Sequence, residues 1–333
     1  MTASNPHRLK ADPDAPPAPA LAREVAATLA RGGLVALPTE TVYGLAANAT
    51  DPAAVAAIYA AKGRPQFNPL ISHVESLAAA EQHGIFDETA RRLAAAFWPG
   101  PLTLVVPKRP ESPVAALATA GLATIALRVP RHALTRGLIA GFGRPVAAPS
   151  ANPSGRLSPT TADAVAEGLG EKVDLIVDAG ACPVGLESTI VACLEGTPRL
   201  LRPGGISRAD IERVIGRDLV TAPSVEDARP AAPGMLASHY APHARVRLEA
   251  KSVAPGEALL AFGPDLPPGA EAAAMVLNLS KAGDTVEAAA NLFGHLARLD
   301  RSGAPAIAVM PIPAEGLGEA IRDRLARAAA PRP

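Results

Sequence analysis

The chain has 333 residues, 32 Lys+Arg against 32 Asp+Glu, and a formal net charge of zero; 48% of residues are hydrophobic, 19% charged and 3% aromatic. At roughly 150 residues per domain this is a globular chain of about two domains, and its balance excludes both a disordered chain and a strongly basic nucleic-acid binder. No stretch approaches the ~18 apolar residues of a membrane span, and the polar, Pro-rich residues 1–20 lack the apolar run of a secretory signal.

Two cysteines, Cys182 and Cys193, are too few for a disulfide framework and read as buried free thiols of a reducing, cytoplasmic compartment. Residues 246–333 hold 9 basic and 10 acidic side chains and the remainder 23 and 22, so neither part is a basic module. Residues 1–20 are expected to be disordered. Leu21 to Ala30 has helical apolar spacing and ends at Gly32-Gly33, and Leu34 to Pro38 reads as a short buried strand. Asp51 and Pro52 open a helix as N-cap and first residue. It runs to Lys62, where Gly63 suits the C-cap and Pro65 stops continuation. Residues 69–74 are a predicted strand, and 88–97 a helix stopped by Trp98-Pro99-Gly100-Pro101. Strands over 102–106, 124–129, 145–148, 175–178 and 189–194 alternate with helices near 132–140, 161–169 and 208–215. The pattern predicts a mixed α/β domain over residues 21–215. Residues 216–245 contain Pro223, Pro230, Pro233 and Pro242 with little periodicity and read as a long ordered linker. Strands at 258–262, 275–279 and 306–310, with helices at 288–298 and 316–329, then predict a small parallel α/β domain over 246–333.

Neither a Walker A loop, nor G-x-G-x-x-G after a strand, nor G-x-S-x-G, nor H-E-x-x-H occurs. His239 and His243 have the spacing of metal ligands on a helix, but Pro242 between them breaks that helix and argues against zinc. Polar segments cluster instead at predicted strand ends. Leu37-Pro-Thr-Glu-Thr-Val-Tyr-Gly-Leu45 runs a buried strand into hydroxyls that either grip a small polar ligand or satisfy a turn. Lys62-Gly-Arg-Pro-Gln-Phe-Asn-Pro-Leu70 carries two cations off a helix end. They either complement the helix dipole or clamp a phosphate, Lys as point charge and Arg as fork. His73 follows on the next strand. In Pro149-Ser-Ala-Asn-Pro-Ser-Gly155 an extended segment sets Ser150 and Asn152 on one face, as a polar loop or a ligand contact. Thr124 and Arg128 share a strand, Ser158 precedes a helix, Glu187-Ser-Thr189 precedes a strand, and Leu201-Arg-Pro-Gly-Gly205 follows.

Taken in order, T-E-T-V-Y-G-L, K-G-R-P..N-P-L, P-S-A-N-x-S-G, E-S-T-I and L-R-P-G-x-I resemble the YrdC-like domain, whose signature is the K-x-R and S-x-N pair. Pro233 to Pro242, P-G-M-x-x-x-H-Y-A-P, looks like the linker of the two-domain threonylcarbamoyl-AMP synthase family. The resemblance covers residues 21–245 strongly and the C-terminal part more loosely. It implies a twisted, mixed parallel and antiparallel α/β sheet enclosing a positively charged cavity, with a smaller Rossmann-like α/β C-terminal domain. It implies condensation of L-threonine, bicarbonate (or carbon dioxide) and ATP to threonylcarbamoyl-AMP and pyrophosphate, with Mg2+ carried on ATP. The product would serve threonylcarbamoyladenosine modification of tRNA through a downstream transferase machinery, with weak direct tRNA contact at most.

Carried over by motif, Lys62 and Arg64 are the catalytic pair facing the ATP phosphates. Asn68, Thr124, Ser150, Asn152, Ser158 and Arg202 complete the ATP set, and Tyr240 maps to the linker residue that folds over the nucleotide. Thr41, His73, Arg128, Ala148 and Ser188 map to L-threonine contacts, with the planar Arg128 fork suited to its carboxylate. No resident metal is implied. Removal of residues 216–333 is expected to leave a folded first domain with impaired activity. Two other readings compete: an RNA-binding module of this fold without synthase activity, and a paralogous carbamoyl- or adenylyl-transfer enzyme. Neutral charge disfavours the first, and the complete motif set disfavours the second.

Overall fold

The computed structural model describes residues 6–194, 196–221 and 239–331. In chain order the first part contains β1 (His7–Lys10), α1 (Pro19–Ala30), β2 (Val35–Leu37), β3 (Gly44–Asn48), α2 (Pro52–Lys62), β4 (Ile71–His73), α3 (Leu77–Glu81), α4 (Glu88–Phe97) and β5 (Leu102–Pro107). It continues through β6 (Thr124–Arg128), α5 (Ala133–Phe142), β7 (Val146–Ala147), α6 (Ala162–Leu169), β8 (Leu175–Asp178), β9 (Thr189–Ala192), β10 (Arg199–Arg202), α7 (Arg208–Ile215) and β11 (Val220–Thr221). The second part contains β12 (Arg245–Arg247), β13 (Ala258–Ala261), β14 (Val276–Asn278), α8 (Thr285–Arg301), β15 (Ala306–Val309) and α9 (Gly318–Ala329).

One eleven-stranded sheet runs β1-β8-β2-β3-β7-β4-β6-β5-β9-β10-β11, and a four-stranded sheet runs β12-β15-β13-β14. The large sheet mixes parallel pairs such as β4 with β6 and antiparallel pairs such as β4 with β7. The small one is parallel throughout. Both match the expected fold class. Among the described residues no helix is long and apolar enough to cross a membrane, and Cys182 and Cys193 are free and buried.

Two expectations need correction. The lead-in over residues 1–20 is not disordered where it is described. β1 adds in parallel to β8, His7 opposite Leu175, and Arg8 binds Asp178 and Asp163. A backbone ladder and surface ion pairs order this segment, and neither leaves an apolar pattern to read. The linker expected over 216–245 contains a strand near its start, because Val220–Thr221 form β11 against β10; β12 begins at Arg245, the expected boundary, and pairs with β15. The linker's centre, residues 222–238, and with it most of the P-G-M-x-x-x-H segment, lies outside the described residues.

The local chemistry of α2 sets up the site. Asp51 accepts the Ala53 N–H at 2.8 Å and caps the helix start. Gly63 ends it in the left-handed region at φ 60°, a conformation that favours glycine. The chain therefore turns sharply just where Lys62 and Arg64 leave the helix. The two parts meet along a shared apolar cluster in which Val42 and Leu186 pack with Tyr240, Leu292 and Phe293. At Gly185 a Cβ would sit 2.5 Å from the Ala289 carbonyl oxygen, so this loop touches the backbone of α8 directly.

Candidate active site

The site forms where β2, α2, β4, β6 and β9 end near one another. After β2, Thr39 donates its hydroxyl to the Val42 carbonyl at 2.7 Å, and its oxygen receives the Thr41 N–H. This tight turn aims Glu40 and Thr41 at β6, where Arg128 Nη2 donates to Glu40 Oε1 at 2.7 Å and to Thr41 Oγ1 at 2.9 Å. Burial opposes ionisation of Glu40, but Arg128 outweighs it and holds the carboxyl below its ordinary range.

At the end of α2, Lys62 Nζ donates to the carbonyls of Ser150 and Asn152, both at 2.5 Å, and among the described residues it lines no cavity itself. Arg64 donates to the carbonyls of Asn68 at 3.4 Å and Pro69 at 3.0 Å. The helix end and the S-x-N segment, far apart in sequence, are thus one unit. Burial, with Arg64 adding repulsion against some relief from Glu187, lowers the Lys62 ammonium well below its usual value; burial brings Arg64 to about 10. Two buried cations held mainly by neutral oxygens make a strong anion site. The side-chain oxygens Asn68 Oδ1 and Asn152 Oδ1 are buried and meet no donor among the described residues.

Arg202 reaches the Ser188 carbonyl at 2.9 Å, and Ser188 shares a 2.7 Å hydrogen bond with Thr103. Glu187 accepts the Ser158 hydroxyl at 2.5 Å and the Arg324 Nε at 2.9 Å. Burial pushes Glu187 up, but Arg324 and Arg202 overcome it and hold the carboxylate at about 2.

Among the expected residues, Arg64, His73, Arg128, Ala148, Ser150, Ser188, Arg202 and Tyr240 line one cavity of about 40 Å³. Thr41 reaches that cavity through Arg128. Asn152 and Ser158 face a separate cleft of about 720 Å³ between α6 and α8. Thr124 stands four residues before Arg128 at the far end of β6 and lines neither space. His239 and His243 do not act together: His239 is buried on the cavity, whereas exposed His243 donates to the Asp300 carboxylate. No group of three His, Cys, Asp or Glu among the described residues could hold a metal ion. Four residues outside the expected site set also matter here: Glu40, Glu187, His239 and Arg324. The first three lie inside quoted motifs, with His239 weighed only as a metal ligand, and for Glu40 and Glu187 only their distant partners show what they do.

His73 and His239 are both buried. Burial, reinforced by Arg128, lowers His73 from 6.5 to about 3; burial also lowers His239 to about 3, with Glu187 opposing and Arg64 and Lys62 reinforcing. Such a histidine is neutral when folded and gains a proton when unfolded. Its contribution to stability is therefore whole above 6.5 and falls as pH drops from 6.5 toward 3. Unfolding in urea is expected to lose on the order of 2 kcal/mol per histidine between about pH 7.5 and about pH 5. His239→Phe should flatten part of that slope, and a stability unchanged over this range contradicts the assignment.

A mixed sheet that gathers buried cations, hydroxyls and a guanidinium–carboxylate pair around a small cavity at its strand ends fits an enzyme of the YrdC-like class. A family model described as "Telomere recombination" matches residues 27–204, and one described as "Threonylcarbamoyl-AMP synthase, C-terminal domain" matches residues 206–330. The chain is 43% identical over 327 residues to the threonylcarbamoyl-AMP synthase of Pyrococcus abyssi (strain GE5 / Orsay), covering 92% of this chain and 93% of that one. It is 39% identical over 322 residues to that of Bacillus subtilis (strain 168), covering 93% of each. The crystal structure of P. abyssi Sua5 complexed with L-threonine aligns with a TM-score of 0.86 at 37% identity over 98% of both chains. The chain belongs to the threonylcarbamoyl-AMP synthase family.

Proposed function

We propose that the chain condenses L-threonine, bicarbonate or carbon dioxide and ATP into threonylcarbamoyl-AMP, releasing pyrophosphate. The observation that carries this reading is one cavity lined by Arg64, Ser150 and Arg202 together with His73, Arg128 and Ser188, with Lys62 bonded to the S-x-N segment and Arg128 to Thr41. The first trio suits a polyphosphate, the second a small zwitterion bearing a hydroxyl.

The reaction needs no enzyme nucleophile. The threonine amine, once deprotonated, attacks the one-carbon substrate to give an N-carboxylate. That carboxylate attacks the α-phosphorus of ATP, and pyrophosphate leaves. Arg128 holds the threonine carboxylate, with Thr41, His73, the Ala148 backbone and Ser188 around it. Lys62 and Arg64 neutralise the departing pyrophosphate together with the Mg2+ that enters on ATP. Asn68, Ser150, Asn152, Ser158 and Arg202 hold the rest of the nucleotide, with Thr124 the outlying member of the set. A closed site also shields a carbamate that water would destroy. The 40 Å³ cavity is too small for a nucleotide while His239 and Tyr240 wall it, so both side chains must yield when ATP enters. The product then passes to a tRNA-modifying transferase, with at most weak direct tRNA contact by this chain.

The direct test is pyrophosphate release with ATP, Mg2+ and bicarbonate, in the presence of threonine, serine, valine or no amino acid. Release is expected to depend on threonine. Equal release with all of them, or none with any, overturns the reading, and RNA binding without release supports the binding-module alternative.

A further inference from the structure

The second part of the chain sends one charged side chain into the first. Arg324 on α9 is 0% exposed. Its Nε donates to Glu187 Oε2 at 2.9 Å, and its Nη1 donates to the Pro203 carbonyl at 2.9 Å and to Asp323 Oδ2 at 2.7 Å. Its guanidinium carbon lies 5.1 Å from the centroid of the Tyr240 ring, within range of a cation–π contact. The same helix receives the His239 N–H on the Arg327 carbonyl at 3.3 Å, and Asp323 also binds Arg327. Nη2 of Arg324 is buried without an acceptor among the described residues.

Docking the two parts does not require this arrangement. Arg208 with Glu319 and Arg301 with Glu167 already bridge them at the surface, where ion pairs form without the cost of burying charge. A fully buried arginine is a poor means of gaining stability. Of its four contacts, Asp323 lies on its own helix and the other three fall on pieces of the site: Glu187, which takes the Ser158 hydroxyl; Pro203, which follows Arg202; and Tyr240.

We propose that Arg324 is a positioning residue of the active site, supplied by the C-terminal part. It fixes the Glu187 carboxylate so that Ser158 is held in place for the nucleotide. It touches no substrate. The inference rests on the nucleotide role proposed above for Ser158.

The test uses the full chain and steady-state pyrophosphate release. Arg324→Met is expected to raise KM for ATP about tenfold while KM for threonine stays within about twofold, the size of one lost charge-assisted hydrogen bond. Arg324→Lys, which can still reach Glu187, should recover part of that loss. Ser158→Ala should give the same ATP-selective rise, and Arg324→Met with Ser158→Ala together should be no worse than the poorer single variant. If Arg324→Met does not fold because it strands the Glu187 charge, Arg324→Met with Glu187→Gln takes its place with the same expected ATP-selective rise. Equal changes in both KM values, no change, or additive effects with Ser158→Ala overturn the assignment of Arg324. An unchanged KM for ATP in Ser158→Ala instead overturns the nucleotide reading of Ser158, and the proposed route through it.

Discussion

Lys62→Ala is expected to lower threonine-dependent pyrophosphate release by about 10²- to 10³-fold, the usual loss when a preorganised donor to a developing charge is removed. Lys62 is a cation that the resting chain disfavours. It is buried, its ammonium is disfavoured by burial and by Arg64, and its two acceptors at 2.5 Å are neutral carbonyls. An arriving polyphosphate relieves that situation, and pyrophosphate leaving the α-phosphorus makes the charge larger still. The structural loss is modest by comparison: the Ser150 and Asn152 carbonyls lose their donor, at about 1 kcal/mol for each bond. Lys62→Ala should therefore fold, with an unfolding midpoint close to that of the parent, and fail in catalysis. Lys62→Arg should not rescue it, because a planar guanidinium cannot enter between two carbonyls that both lie 2.5 Å from Nζ. Wild-type rates in Lys62→Ala would remove the phosphate role from this residue.

Arg128→Met should be strongly destabilising. Glu40 and Arg128 are both about 5% exposed and 2.7 Å apart, and removing one partner of a buried pair costs about 3–5 kcal/mol. The paired variant Arg128→Met with Glu40→Gln leaves no orphaned charge and should recover most of that loss in a urea titration. It should not recover threonine binding, because the guanidinium that would meet the threonine carboxylate is still missing. Stability and threonine affinity restored together would mean that Arg128 serves the fold alone.

What could be read from sequence follows the range of the forces involved. The helix at 88–97 and that at 208–215 are found at those bounds because their caps are local: Asp87 accepts the Ala90 N–H and Ser207 the Asp210 N–H. β3 escaped notice because Gly44–Asn48 is buried at every position and has no alternation. β1 and β12 escaped because they are short and largely exposed. In the site, the hydroxyls and cations stand out as residue types crowded at strand ends. Their partnerships do not. Glu187 meets Arg324 across 137 residues of chain, and no spacing rule reaches that far. Side-chain parity puts Thr124 and Arg128 on one face of β6, yet only Arg128 lies at the end that meets the cavity.

The seam between the two sheets carries a consequence for how the molecule comes apart. Val42 and Leu186 have their apolar neighbours in the other half, and Gly185 lies so close to α8 that no side chain fits between them. Removal of residues 216–333, expected to leave a folded first domain with impaired activity, would also uncover one face of it. It would open an oily strip along the E-S-T loop, strand the Glu187 carboxylate, and leave a fragment prone to stick to its own kind. Heat should act in the same way. Each half keeps apolar clusters of its own, and only the shared one is lost when the two part.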